Sequence, residues 1–208
     1  MYPDVSVVSM SSKPIRIAVV GAGPGGLTLA RLLRIAGVTT TVFERETSAT
    51  ERPQGGTLDL HTESGQLALA RAGLTDAFLR VARYEDQGSR LYDSDGRLLL
   101  ADDDMTGDRP EVDRTALRDL LLQSLPPDAV RWGHGLREVT PRHDGRYDLV
   151  FDSAREGPFD LVIGADGASS RVRPLVSRYQ PQYSGLTFIE FGIEDRKSTR
   201  LNSSHSYR

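Results

Sequence analysis

The stretch Ile15-Arg16-Ile17-Ala18-Val19-Val20-Gly21-Ala22-Gly23-Pro24-Gly25-Gly26, closed by Glu44, decides the fold. Ile15 to Val20 is an apolar, β-branched run of the kind that forms a buried parallel strand. The glycine loop follows at once. Leu29, Leu32, Leu33 and Ala36 then recur at helical spacing, and Gly37 stops the helix. Thr40 to Phe43 predicts a second strand, and Glu44 stands at its end. Strand, glycine loop, helix, strand and acid in this order are the fingerprint of a dinucleotide-binding βαβ unit.

Each residue of the fingerprint has a physical reason. Gly21 allows the tight turn, Gly23 lets a pyrophosphate approach the backbone, and Gly26 lets helix and strand pack closely. Pro24 and Gly25 complete the loop at the helix start, where free N–H groups and the helix dipole favour an anion. Glu44, with Arg45 beside it, is placed to accept hydrogen bonds from adenosine ribose hydroxyls. A carboxylate there repels a 2′-phosphate, so the residues favour FAD or NAD over NADP. The alternative, an ordinary glycine-rich turn, does not account for the order of the flanking elements.

A second motif lies at Asp160-Leu161-Val162-Ile163-Gly164-Ala165-Asp166-Gly167, followed by Ser170, Val172 and Arg173. It predicts a short buried strand, a turn at Asp166-Gly167, and a helix capped by Ser169 or Ser170. A carboxylate at the C-terminal end of such a strand faces the crevice where α/β sheets bind ligands.

Together the two glycine signatures resemble the class A FAD-dependent monooxygenases, the para-hydroxybenzoate hydroxylase-like enzymes, over roughly Lys13 to Glu190. Arg52 with Gly55-Gly56-Thr57-Leu58-Asp59-Leu60-His61, and Pro110-Glu111-Val112-Asp113-Arg114, are similar to the tetracycline-inactivating flavin monooxygenases. That branch has a degraded second motif, whereas Gly164-Ala165-Asp166-Gly167 keeps the general form. The resemblance implies an α/β fold: a Rossmann-like FAD-binding domain carrying part of an inserted β-sheet substrate domain. It implies cofactor contacts at Gly21, Gly23, Pro24, Gly25, Gly26, Glu44, Arg45, Arg52, Asp59, Arg114, Asp166 and Gly167. Asp59, Arg52 and Arg114 fall towards the flavin. Asp59 also stands between two leucines, where a carboxylate needs partners. Arg118 shares a helix face with Arg114 and reads as a solvated charge.

Composition narrows the classes. Lys and Arg total 26, Asp and Glu 29, so the net charge of −3 argues against nucleic acid. With no cysteine, disulfides, thiolate catalysis and cysteine–zinc sites are excluded. Asp102-Asp103-Asp104 lacks EF-hand spacing and reads as solvated surface, and His61, His134 and His143 lack zinc spacing. His61 adjoins the Asp59 segment and stays open between a flavin-side and a structural role; His134 and His143 read as loop residues. No metal is expected. No segment is long enough to span a membrane, and Met1 to Ser12 lacks the pattern of a signal peptide, so a cytoplasmic location is the default.

Along the chain, Thr62 to Gly73 predicts a helix with Leu67 and Ala70 inward, and Leu74 to Val81 a second helical piece. Leu91-Tyr92 and Arg97 to Leu100 flank the turn Asp93-Ser94-Asp95-Gly96 and predict a hairpin. Leu117, Leu120 and Leu121 mark a helix ending before Pro126-Pro127. Val130 to Trp132, Leu136 to Val139, Tyr147 to Phe151 and Leu186 to Glu190 predict strands, with Asp144-Gly145 turning between Leu136–Val139 and Tyr147–Phe151. The resemblance then divides the chain into an FAD-binding domain at 13–80 and 105–176, and substrate-domain pieces at 81–104 and 177–194. Residues 1–12 read as a disordered extension. Asp195 to His205 matches, codon for codon, the translation of a common sequencing adapter, so 195–208 is expected to be read-through and native sequence to end near Glu194.

By resemblance, NADPH or NADH reduces the flavin, and O2 then hydroxylates an aromatic or polyketide-like small molecule. No protein nucleophile is required, because the cofactor carries the hard chemistry. The family is roughly twice this length, and a third flavin-binding signature is absent here. The chain is therefore expected to be inactive by itself. Two other readings stay open: an NAD-dependent oxidoreductase, which the second motif does not support, and a non-catalytic flavin- or nucleotide-binding module.

Overall fold

A computed structural model describes residues 14–84, 89–102 and 108–187. Among them, four parallel strands form one sheet in the order β11 (Leu161–Gly164), β1 (Ile17–Val20), β2 (Thr40–Phe43), β7 (Val130–Arg131). Every residue of β1 is buried, as the β-branched run requires of a central parallel strand. Helix α1 (Pro24–Ile35) follows the glycine loop and buries Gly26, Leu27 and Ala30. Gly37, at φ +77°, ends it.

The sheet is covered on both faces. Val19 and Val42 point into a core with Leu27 and Ala30 of α1 and with Leu117 and Leu121 of α4 (Arg114–Gln123). Ala18, Val20 and Phe43 point the other way, onto Leu149, Phe151 and Phe159. Those residues belong to an antiparallel sheet in the order β10 (Arg155–Phe159), β9 (Tyr147–Phe151), β8 (Leu136–Pro141). Phe43 is fully buried and touches Phe151 and Phe159 with ring centroids 4.9 and 5.7 Å away. Such a side chain contributes about 1.5–3 kcal/mol. The period of two in β1 thus serves two different cores.

Helix α4 starts where Asp113 Oδ1 accepts from the N–H groups of Thr115 (2.8 Å) and Ala116 (3.0 Å). Losing such a cap costs about 1 kcal/mol. Just before it, β6 (Glu111–Asp113) pairs antiparallel with β3 (Thr57–Asp59). Arg83 and Glu111 exchange backbone hydrogen bonds, which ties the chain's exit towards the hairpin to its return. The hairpin β4 (Ser89–Tyr92) and β5 (Leu98–Asp102) forms as expected, with Asp93 Oδ1 accepting from the N–H groups of Asp95 and Arg97.

Some expectations differ from the structure. Between Thr62 and Arg71 the chain makes a π-type turn (Thr62–Gln66) and then α2 (Leu67–Arg71), so the helical phase shifts. Leu69 and Ala72 face inward, while Leu67 and Ala70 are exposed. The second helical piece is α3 (Thr75–Leu79), which buries Phe78. Strand β10 was not foreseen, because Gly157 and Pro158 sit inside it; it is an edge strand, where a missing N–H is tolerated. The helix expected after Asp166-Gly167 is a single 3-10 turn, Arg173–Leu175. Leu186 and Thr187 form no strand. The N-terminal extension, Asp103, Asp104, residues 188–190 of the last expected strand and the 195–208 tail lie outside the described residues.

Candidate dinucleotide site

Register brings three motifs to one edge. Val20 pairs with Phe43 on one side and with Gly164 on the other, so β1, β2 and β11 end at the same level. Gly21 N–H donates to Phe43 O (2.8 Å), and Ala165 N–H to Val20 O (2.7 Å). A cleft of about 400 Å³ opens there, lined by Gly21, Ala22, Gly23, Glu44, Arg45, Glu46, Arg52, Arg118, His134, Asp166 and Gly167 among others. It lies outside the carboxyl ends of the strands, where open α/β sheets hold their ligands.

The glycines separate into two kinds. A Cβ on Gly26 would sit 2.0 Å from Gly21 O, and one on Gly21, at φ +105°, would sit 2.4 Å from Ala165 O. The chain itself forbids side chains at both. Gly23 is different: a Cβ there meets nothing within 4 Å, and its backbone is extended at φ −78°, ψ 176°. None of the described residues requires glycine at 23, whereas a group lying against the loop would. Gly23 is also the N-cap of α1 and supplies no side chain to the helix's first N–H groups. Those groups suit an anion.

Glu44 is 8% exposed. Its Oε2 accepts from Ala22 N–H (2.7 Å) and its Oε1 from Glu46 N–H (3.1 Å). The acid therefore ties the glycine loop to the end of β2 before it meets any ligand. A carboxylate has about four acceptor sites, so capacity for ribose hydroxyls remains. Beyond it, Thr47 N–H and Oγ1–H both donate to Glu51, which holds that carboxyl below the usual range and closes the loop that carries Arg52.

Arg118 overturns the expectation of a solvated charge. It is 2% exposed, with Nη1 donating to Glu46 Oε2 (2.7 Å) and Nε to Ala22 O (3.1 Å). Its guanidinium also lies 5.4 Å from the centre of the Trp132 ring. Glu46 is 4% exposed and pairs through Oε1 with Arg52 Nε (2.7 Å). A visible signal existed: Arg118 falls within the inward stripe Leu117, Leu120, Leu121. Glu46 carried none, since Arg118 lies far along the chain and Arg52 meets it only through the folding of the loop between them.

Asp166 accepts from Arg171 N–H through Oδ2 (2.7 Å), while its Oδ1 is buried without a hydrogen-bond partner among the described residues. A buried carboxylate oxygen without a partner is uncommon, and this one belongs to a residue that lines the cleft. Ser170 Oγ accepts from the N–H groups of Val172 and Arg173, which fixes the turn that follows. His134 is in the loop between β7 and β8, as expected, yet it also lines the cleft. Its Nδ1 lies 2.7 Å from Trp132 O and its ring 5.0 Å from that of Phe151.

Asp59 and Arg114 lie apart from this cleft. Asp59 is exposed at the end of β3 and its carboxylate has no hydrogen-bond partner among the described residues, so the expected buried partners are not there. Arg114 is exposed, its Nε 3.4 Å from Thr57 O. Pro24, Gly25 and Gly26 back the loop without lining the cleft. His61 is half exposed beside Glu63. Among the described residues no group of three or more acidic or histidine side chains is placed to hold a metal, and no helix is long and apolar enough to cross a membrane.

Fold and site define an α/β dinucleotide-binding domain with a Rossmann-like parallel sheet. The chain belongs to the FAD binding domain family, whose model matches residues 15–200. It is 38% identical to "Monooxygenase asqM" of Emericella nidulans, over 84% of this chain and 43% of that protein. To the 3-amino-4-hydroxybenzoate 2-monooxygenase of Streptomyces cremeus it is 36% identical, over 85% of this chain and 45% of that one. Among solved structures, tetracycline destructase Tet(55) superposes with a TM-score of 0.60 at 29% identity, covering 77% of this chain and 40% of that one. The chain spans under half the length of these relatives.

Proposed function

We propose that this chain is the FAD-binding part of a flavin-dependent monooxygenase that hydroxylates an aromatic or polyketide-like small molecule with NADPH or NADH and O2. The observation that carries the reading is the pairing of Gly23, which no atom of the described residues requires to be glycine, with Asp166 on the same cleft, whose buried Oδ1 has no partner among those residues. A diphosphate against the loop explains the first, and a hydroxyl or N–H of the cofactor explains the second. The names of the relatives, monooxygenases acting in one case on an aminohydroxybenzoate, support the reaction class.

In this reading the residues bind and orient. The N–H groups at the start of α1 hold the diphosphate, and Glu44 accepts from the adenosine ribose. Arg45, Arg52, Asp166 and Gly167 complete the walls of the cleft. Asp59 and Arg114 face the flavin end. The bound flavin supplies the redox chemistry with oxygen.

The test is a titration of the purified chain with FAD and, separately, NAD, followed by flavin fluorescence and by calorimetry. Saturable FAD binding that ADP competes away supports the reading. Binding of NAD with no FAD binding overturns it in favour of a nicotinamide-dependent oxidoreductase.

A further inference from the structure

The geometry points to Arg118 as a positioning residue that aims the Gly23 N–H at the dinucleotide's diphosphate, with Glu46 holding Arg118 in place. This rests on the diphosphate reading of the cleft. Arg118 is nearly fully buried, yet it donates to a backbone carbonyl of the glycine loop, Ala22 O (3.1 Å). On the amide side of the same residue, Ala22 N–H is held by Glu44 Oε2 (2.7 Å). Ala22 is thus gripped at both ends, its N–H by an accepting carboxylate and its C=O by a donating guanidinium.

The consequence follows from peptide geometry. The Ala22–Gly23 peptide is trans, so its C=O and N–H point in opposite directions within one plane. Fixing the carbonyl on Arg118 turns the Gly23 N–H to the side away from the guanidinium. That N–H has no acceptor among the described residues, and Gly23 lines the cleft. Glycine's two soft dihedrals would otherwise leave this peptide free to rotate.

Glu46 makes the arrangement stable. Its Oε2 takes Arg118 Nη1 (2.7 Å) and its Oε1 takes Arg52 Nε (2.7 Å), while its carbonyl accepts from Gly133 N–H (2.7 Å). A buried guanidinium needs this counter-charge. The planar fork of arginine matters as well, because Nε and Nη1 reach two acceptors in fixed directions. The ammonium of lysine, a point charge on a flexible stem, does not reproduce that geometry.

The test uses ADP as the probe, with 15N–1H spectra of the full chain. In the wild type, saturating ADP is expected to move the Gly23 amide proton downfield, the mark of a charge-assisted hydrogen bond. Arg118→Lys, which keeps a cation beside Glu46, is expected to lower ADP affinity about tenfold, the loss of one hydrogen bond to a charged group. It is also expected to abolish most of the Gly23 shift. A wild-type Gly23 resonance that ADP leaves unmoved overturns the inference without any variant. So does Arg118→Lys with the wild-type shift at Gly23, whatever its affinity. If the wild type binds neither ADP nor FAD, the diphosphate reading itself fails and this inference falls with it.

Discussion

The cleft at the ends of β1, β2 and β11 differs sharply from the strip formed by β3, β6 and the β4–β5 hairpin. Around the cleft, charge is buried and matched: Glu44 holds two backbone N–H groups, and Glu46 holds two arginines. On the strip, Asp59 and Arg114 are exposed, as are Leu91, Leu99 and Leu100 of the hairpin. The nucleotide end of the proposed cofactor site is therefore organised by contacts within this chain. Of the residues assigned to the flavin end, Asp59 and Arg114 have no comparable shell among the described residues, whereas Arg52 pairs with Glu46. Substitutions should separate the two regions, with large effects in the first and small ones in the second.

The largest effect is expected at Gly26. Gly26→Ala places a methyl 2.0 Å from Gly21 O and should cost about 3 kcal/mol or more, measured by urea unfolding. Gly23→Ala sharpens the contrast: with open space around it, only the poorer helix N-cap counts, so stability should fall by about 1 kcal/mol while FAD affinity falls. Equal losses of stability at the two positions would break the distinction between folding glycines and a binding glycine.

Next comes Arg118→Met, which leaves Glu46 buried without one of its partners. A loss of about 3–5 kcal/mol is expected, against about 0.5 kcal/mol or less for Arg114→Ala on the exposed strip. Thermal or urea unfolding of the two variants compares the regions directly, and similar losses would count against the assignment of Arg118 to the core.

On the hairpin, replacing Leu91 and Leu100 together by threonine should reduce self-association in sedimentation, with unfolding free energy unchanged to about 0.5 kcal/mol. A large loss of stability would mean that the hairpin is part of the core.

The smallest effect concerns a surface turn. Hydrogen bonds from the Arg146 side chain hold the Asp144 carboxyl down at about 2, below its ordinary 3.8. A depressed acid contributes stability above the unfolded value, and that contribution fades as pH falls from about 4 through 2. Asp144→Asn should remove this acid-side slope together with the small, solvent-screened stability it adds at neutral pH, so that the two proteins converge at about pH 2, as acid titration by circular dichroism will show.

Much of this was legible in the residues. The βαβ unit was readable because its signals are local: a β-branched run, a glycine loop, an amphipathic helix and an acid at fixed offsets. The second motif was readable for the same reason, and Asp166 arrives at the cleft where a strand-end carboxylate should. Arg118 was misread because helical spacing gives the face but not what the face packs on. The partners expected for the Asp59 carboxylate are not there because flanking leucines do not bury a strand end. Glu46 had no signal, since its partners lie at positions 52 and 118 and meet it only through the fold.

By itself, then, the sequence determined the strand–loop–helix unit, the parallel sheet and the class of ligand, because short-range sterics and hydrogen bonding dictate each of them. Tertiary structure alone decided which charges are buried. That depends on contacts between segments far apart in the chain, and low-dielectric burial is what turns a guanidinium from a surface charge into a fixed part of the glycine loop.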